Sequence, residues 1–340
     1  VPERKARMLA SACAISVVTA LASCTPATIL PGDTLPIAVD STVIAELGGS
    51  PTIAPGLTFL GGLELSSPEP LFGAFSSIRF RDDQAFLGVF DTGYWIEGRI
   101  LRDGEGHLSG VEAVRLAPLL DASGQESQGK FQVDAESLAL DDDRAFVGFE
   151  QRHRVVAYAP LSDLGKALPS APLDFPFDLD ILHSNGGFES LVIAPQGSAI
   201  AGALVAITEK SFDENGNIYA AIVGGPLPGQ FRVRPRDEFE ITDATFLPDG
   251  DLLLLERRFS IATGVGMRLR RIEGESIRPD AVVDGEILFE ANYRSQIDNM
   301  EGLDAIPEPD GSVRLIVVSD DNHSILQRTL MLEFRLQPQG

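Results

Sequence analysis

The 340-residue chain has almost no cysteine: Cys13 and Cys24 are its only two, and both lie close to the N-terminus. No disulfide is available to the body of the protein. Stability must come from a hydrophobic core, which roughly 310 remaining residues are enough to build. Histidine is sparse too, at positions 107, 153, 183 and 323, so no imidazole-rich metal site is expected. No Gly-x-Ser-x-Gly elbow, Walker loop or dinucleotide-binding fingerprint occurs. No apolar stripe recurs at 3.6 residues over a useful length, which predicts little helix. Basic residues are outnumbered, with 27 Lys and Arg against 50 Asp and Glu and a formal charge of -23. Such a field repels nucleic acid and anionic lipid and gathers cations, so nucleic-acid binding is set aside.

The N-terminus reads as an address. Arg4, Lys5 and Arg7 make a basic start, Met8 to Ala22 a short apolar core, and Leu21-Ala22-Ser23-Cys24 a lipoprotein cleavage box. The run is below the ~18 to 20 apolar residues of a spanning helix. Residues 1–23 are expected to be a signal peptide, with an uncleaved anchor helix as the alternative. Cys24 becomes a lipidated first residue, residues 24–36 a Pro-rich tether, and residues 37–340 one domain. This predicts a monomer in the bacterial cell envelope, facing the periplasm and held, in all expectation at the outer membrane, only by its lipid.

What is abundant is glycine, proline and β-branched or aromatic residues, with 33 Gly and 22 Pro, a composition of short strands and turns. One phrase recurs: an acid opens an apolar run, a turn reverses the chain, and a second apolar run closes on another acid. It is clearest from Asn299-Met300-Glu301-Gly302-Leu303 through the Asp310-Gly311 turn to Ser319-Asp320-Asp321-Asn322. Further copies open at Glu136, Glu189 and Asp243 and close at Glu150, Glu209 and Glu256; an earlier one opens at Ser76 and closes at Asp91. Openings at 76, 136, 189, 243 and 301 are separated by 60, 53, 54 and 58 residues, which suits four-stranded propeller blades. The fold class is therefore all-β, a propeller of five or six four-stranded blades closed by strands from both termini. The residues left over at the two ends exceed one blade and fall short of two, so five and six blades both stay open on this count.

In a propeller the start of each innermost strand and the end of the second lie on one face. Glu136, Glu189, Asp243 and Glu301 are thus expected to share a channel mouth with Asp91, Glu150, Glu209, Glu256 and Asp320. Carboxylates so close raise each other's pKa values and call for cations. Oxygen ligands without His or Cys point to Ca²⁺. Arginine is the other candidate counter-charge, and Arg152, Arg154, Arg257, Arg258, Arg268 and Arg328 lie near the same strand ends. Each acid also has a plainer reading as a blade-to-blade hydrogen-bond acceptor, and Arg257 and Arg258 as salt-bridge partners. Turn acids such as Asp82-Asp83 and Asp141-Asp142-Asp143 read as solvated tips. His153 and His323 lie near predicted rim positions, where either could transfer protons; Tyr94 and Trp95 read as a blade cap.

The set Phe90-Asp91-Thr92-Gly93, Asp134-Ala135-Glu136-Ser137-Leu138, Phe149-Glu150-Gln151-Arg152-His153, Gly187-Phe188-Glu189-Ser190-Leu191, Leu255-Glu256-Arg257-Arg258-Phe259 and Asn299-Met300-Glu301-Gly302, with Ser319-Asp320-Asp321-Asn322 and Gln327-Arg328, resembles the phytase-like family described as "esterase-like activity of phytase". The likeness runs from about Gly61 to Phe334. Ser137 and Ser190 depart from it where Gly is expected, and Phe90 where Ser is usual. The resemblance implies a propeller, with six blades slightly favoured as the commoner count in that class, and hydrolysis of a phosphoric ester, with rim acids holding Ca²⁺. Asp91, Glu136, Glu150, Glu189, Glu209, Glu301, Asp320 and Asp321 are the expected metal set. Arg154, Arg258 and Arg328 are the expected ester clamp, with His323 as a proton carrier. The expected partner is a small phosphorylated substrate or another anionic ester. A non-catalytic envelope-binding propeller and a Ca²⁺-dependent lactonase are the alternatives, since fold alone does not set chemistry.

Overall fold

The computed structural model describes residues 29–126, 130–260 and 263–338. The expected signal peptide, Cys24 and the start of the expected tether lie outside these residues. Strands dominate, and helix among the described residues is confined to Lys130–Val133 and three 3-10 turns.

Five sheets form the body, antiparallel throughout except where Val282–Val283 adds a parallel outer edge to Gly229–Val233. Blade one runs from the inside outward as Phe75–Phe80, Ala85–Phe90, Tyr94–Arg102 and Leu108–Pro118. Blade two is Ala135–Asp141, Arg144–Phe149, Arg154–Ala159 and Leu168–Pro169. Blade three is Phe188–Ile193, Leu204–Phe212, Ile218–Val223 and Gly229–Val233. Blade four is Glu240–Phe246, Leu252–Ser260, Gly264–Ile272 and Glu286–Asn292. Blade five is Asn299–Pro307, Val313–Asp320, Thr329–Leu336 and, from the N-terminal side, Leu57–Ser66. Each innermost strand touches the innermost strands of both neighbours, and Asn299–Pro307 meets Phe75–Phe80, so the ring is closed. The fold is a five-bladed propeller.

The preference for six blades is corrected by what the leading residues do. They build no blade of their own. Leu35–Pro36 adds an outer edge to blade one, Asp40–Ile44 to blade five and Thr52–Ile53 to blade four, before Leu57–Ser66 pairs with Thr329–Leu336 to close the ring. Part of the expected tether is likewise laid against the domain: Ile29 is buried and Gly32 N–H donates to Gly165 O at 2.8 Å.

The strands form because their apolar runs can be buried on both faces. In Leu252-Leu253-Leu254-Leu255, Leu252 and Leu254 pack with Val205, Ile207 and Val233 of blade three, while Leu253 and Leu255 pack with Leu315 and Val317 of blade five. The period-2 alternation of a strand thus serves two interfaces at once. Five apolar clusters result, one for each junction between neighbouring blades. Each fully buried Leu or Val contributes about 1.5–3 kcal/mol.

At the axis the inner strands carry one buried guanidinium. Arg79 of blade one forks onto Asp243 of blade four at 2.7 and 2.8 Å and donates to the carbonyls of Leu191, Ala244 and Leu303. Ser77 Oγ also donates to Asp243. These contacts link blades one, three, four and five through the core of the ring.

Candidate functional site

The side chains at the mouth are placed by a β-bulge that recurs in every blade. Pairing of the two inner strands shifts between Phe75 and Ser77, Ala135 and Ser137, Phe188 and Ser190, Ile241 and Asp243, and Met300 and Gly302. The extra residues are Ser76, Glu136, Glu189, Thr242 and Glu301. A bulge re-aims its side chain, here turning the bulged residue towards the mouth in four blades. The next residues, Ser77, Ser137, Ser190, Asp243 and Gly302, fall on the buried side of the strand.

This register corrects the sequence reading of blade four by one residue, and a one-residue slip reverses the face. Asp243 is the counterpart of Ser77 and Ser137, so it lies in the channel with Arg79. On the second strand the residues just past the partners of Phe75, Ala135, Phe188, Ile241 and Met300 are Asp91, Glu150, Glu209, Arg257 and Asp320. Arg257, and not Glu256, therefore stands at the mouth. Glu256 is buried between Arg268, at 3.9 Å, and Arg270, with which it forms a tight ion pair.

The mouth is a cleft of about 810 Å³. Its lining includes Asp91, Glu136, Glu150, Glu189, Glu209, Glu301 and Asp320, seven of the expected acids, joined by Asp134 and Asp298. Among the described residues the cations lining it are Lys210 and Arg257. One carboxylate oxygen each from Asp134, Glu136 and Glu150 lies within 4.8 Å of the others; Glu150, Glu189 and Glu209 form a second such trio. Glu150 belongs to both.

The remaining predicted residues are not brought to the cleft. Asp321 turns away to accept from Ala74 N, His323 N and Thr329 Oγ1 at 3.1, 3.0 and 2.9 Å, tying blade five to the loop ahead of blade one. His323 is exposed in the following turn, with φ 47°. Arg154 lies over the Phe149 ring at 4.0 Å, and Arg258 over Phe239 at 4.9 Å. Arg328 donates to Gln296 Oε1 at 2.8 Å and pairs with Asp298 at 3.5 Å. Arg154 and Arg258 are one position off the cleft face in the strand alternation, so the rings of their own neighbourhood hold them. His153 Nε2 contacts His183 O at 3.1 Å, outside the cleft lining.

Three residues the sequence reading undervalued complete the site. Arg257 Nη2 and Nε lie 3.2 and 3.1 Å from Glu209 and Glu301, and Nη1 donates to Asn299 Oδ1 at 2.9 Å. Lys210 Nζ is 2.7 Å from Glu209 and 3.6 Å from Glu240. Asp134 sits two residues ahead of Glu136, and its carbonyl accepts from Glu150 N, as those of Ala74 and Gly187 accept from Asp91 N and Glu209 N.

Crowding and burial perturb these carboxyls. Glu136 and Glu189 are raised well above the ordinary value, by burial first and then by neighbouring acids. Glu150 is pushed up to about 7 by burial, against the Gly187 N–H that favours its charged form. Burial raises Glu301 to about 8 despite Arg257, and Asp320 to about 7 despite the Asn322 N–H. On Arg257 burial acts downward, but Glu301 and Glu209 outweigh it and hold the guanidinium charged.

Fold and site together define a class: a five-bladed propeller whose channel is pinned at its axis and whose mouth is an acid-lined cleft. The chain belongs to the phytase-like family described as "esterase-like activity of phytase", whose model matches residues 70–323. That membership suggests a hydrolase-type propeller. No curated protein matches the chain. Solved structures with which it shares a weak likeness include one described as a putative oxidoreductase (glucose dehydrogenase) from Thermus thermophilus, at 15% identity and TM-score 0.33, over 86% of this chain and 100% of that one. Another is YCF48 bound to D1 peptide, at 12% identity and TM-score 0.33, over 79% and 65%. A third is the WD40 propeller domain of Doa1, at 11% identity and TM-score 0.34, over 77% and 93%.

Proposed function

We propose that the protein is a divalent-cation-dependent hydrolase of phosphoric esters working at the acidic mouth of the propeller. The observation that carries this reading is the sharing of Glu150 between two trios of carboxylates, each trio with oxygens within 4.8 Å of one another. Groups so crowded are stabilised by positive charge, and Lys210 and Arg257 are too few to provide it. The donors are all carboxylate oxygens, which suits a hard cation such as Ca²⁺. Asp134, Glu136 and Glu150 on one side, and Glu150, Glu189 and Glu209 on the other, would hold it. Bound there, such a cation supplies charge neutralisation for a phosphoryl group and activation of water.

The chain's own residues do the rest. Arg257 is fixed by Glu209, Glu301 and Asn299, so its guanidinium is oriented before any ester arrives. Burial pushes Glu301 up to about 8 and Asp320 up to about 7 in the cation-free cleft, and these two, outside both carboxylate trios, are the proposed proton donors to a departing alcohol. The buried Arg79–Asp243 pair lies behind the cleft on the axis and keeps the inner strands in register.

A second reading is favoured by one specific observation. Arg154 and Arg258 are engaged away from the cleft and Arg328 is taken up by Gln296 and Asp298 at its edge, which leaves, among the described residues, a single arginine lining the cleft to grip a phosphoryl group. A lactone or carboxylic ester needs no such clamp. Assays of the purified protein with 4-nitrophenyl phosphate, bis(4-nitrophenyl) phosphate and a lactone panel, with and without chelator, decide between them. Phosphoester turnover lost to chelator, restored by Ca²⁺ and absent in Glu150→Gln is expected; lactone turnover alone supports the second reading, and no chelator-sensitive turnover on any substrate contradicts both. Lipid anchoring at Cys24 is a separate proposal from the N-terminal sequence, tested by whether Cys24→Ser moves the protein out of the membrane fraction.

A further inference from the structure

The mouth has two unlike sides. Blades two and three contribute only polar residues, Asp134, Glu136, Glu150, Glu189 and Glu209 among them, whereas the apolar residues Phe259, Val265 and Leu326 all come from blades four and five, beside Asp298, Glu301 and Asp320. The apolar side has a structural origin. In blade four the second and third strands stay paired past Glu256, through Arg257↔Met267 and Phe259↔Val265 to Ser260↔Gly264, so this hairpin overruns the level of the acids. Strand alternation then puts Arg257 and Phe259 on the cleft side and Arg258 on the other. Leu326 reaches the same side from the turn after Asp320. Phe259 is 70% exposed and Leu326 87% exposed. Large apolar side chains so exposed beside a polar cleft mark a contact surface.

Charge narrows what can lie there. Nine carboxylates against Lys210, Arg257 and the Arg328 that pairs with Asp298 leave an excess of six negative charges when all are ionised, and two divalent cations would still leave two. A substrate carrying many phosphates meets repulsion beyond the cation site, while one carrying a single phosphate and an uncharged remainder does not.

We infer that the substrate is a phosphoric ester with one phosphate and an apolar organic arm, the arm packing on Phe259, Val265 and Leu326 while the phosphate faces the acid side. This rests on the phosphoester reading above and adds the class of alcohol. Phe259 and Leu326 are then the residues that set specificity. Burying a phenyl ring against them strengthens binding by about tenfold or more.

The test is calorimetric titration of the Ca²⁺-loaded protein with inorganic phosphate, phenyl phosphate and inositol hexakisphosphate, repeated on Phe259→Ala and on Phe259→Ala/Leu326→Ser. Both side chains are largely in solvent, so the variants fold. The expected result is a preference for phenyl phosphate over inorganic phosphate of about tenfold that shrinks to within about twofold in the double variant, with inositol hexakisphosphate the weakest ligand. Phosphate binding without that preference, a preference unchanged in the variants, or tightest binding of inositol hexakisphosphate overturns the inference and leaves the phosphoester reading intact. Absence of binding by all three overturns the phosphoester reading and this inference with it.

Discussion

Blade four and the other four blades use one backbone plan and put opposite charge at the same place. In blades two, three and five the bulged residue and the second-strand residue level with it are both acids, Glu136 with Glu150, Glu189 with Glu209, and Glu301 with Asp320; blade one has Ser76 with Asp91. Blade four has Thr242 and Arg257 there, and its two acids are displaced by one residue into buried ion pairs with Arg79 and Arg270. Position in a repeat therefore sets where a side chain points, while its partner decides what it does. Acids answered by a buried arginine hold the ring together; acids left crowded at the mouth remain available to a cation.

The largest effect expected from breaking this contrast is on stability. Arg79→Ala strands Asp243 in the core without its counter-charge and should cost about 3–5 kcal/mol in urea unfolding. Arg79→Met/Asp243→Leu, which removes both charges, should cost much less. Equal losses in the two variants would show that the pair is not what matters.

Next come two acids that look alike in sequence. Glu189→Gln should lower chelator-sensitive hydrolysis by about 100-fold or more at unchanged fold, since it removes a donor from the second trio. Glu256→Gln should leave the turnover of folded protein within about twofold while lowering the unfolding midpoint, because the buried Arg268 and Arg270 lose the carboxylate between them and keep only their outer partners. Reversed outcomes would put Glu256 at the site after all.

Arg257→Gln converts the odd blade into a neutral one. Glu209 and Glu301 lose a charged partner, so the chelated protein should lose about 1.5–3 kcal/mol, and Ca²⁺ should recover more of that loss than it adds to the parent protein. Identical Ca²⁺ gains in both proteins would detach Arg257 from the acid cluster.

The smallest effect is the pH dependence of the chelated protein. Glu150, Asp320 and Glu301 titrate at about 7, 7 and 8 when folded and near the ordinary carboxyl value when unfolded. Between about pH 4.5 and 8 the folded state therefore holds protons that the unfolded state has released, so stability falls as pH rises and levels off above that window. Thermal midpoints in chelator should decline across it, and Ca²⁺ should flatten the decline. A midpoint that climbs from about pH 5 to 8 in chelator contradicts the raised values.

Much of this was legible in the sequence. The repeat phrase placed four of the five inner strands in register, and seven of the eight expected metal ligands line one cleft. Blade four was misread because Asp243 and Glu256 supply an acid at each end of the phrase, and nothing in a linear count shows that the bulge falls at Thr242. The serine pattern carries the missing signal: Ser77, Ser137 and Ser190 follow the bulge, and Asp243 takes their place. Asp134 could have been found from its position two ahead of Glu136. Arg79 could have been found as a lone guanidinium within the buried run Phe75–Phe80. The blade number was hidden because edge strands of two to five residues used up the N-terminal length that a sixth blade would have needed.

Calorimetric titration of Ca²⁺ into the chelator-stripped protein at about pH 7.5, alongside Glu150→Gln and Glu256→Gln, probes the mouth as a cation site most directly. Binding by the parent protein and by Glu256→Gln, with loss in Glu150→Gln because both trios share that carboxylate, is the predicted result. No binding by the parent protein, or binding that survives undiminished in Glu150→Gln, would contradict it.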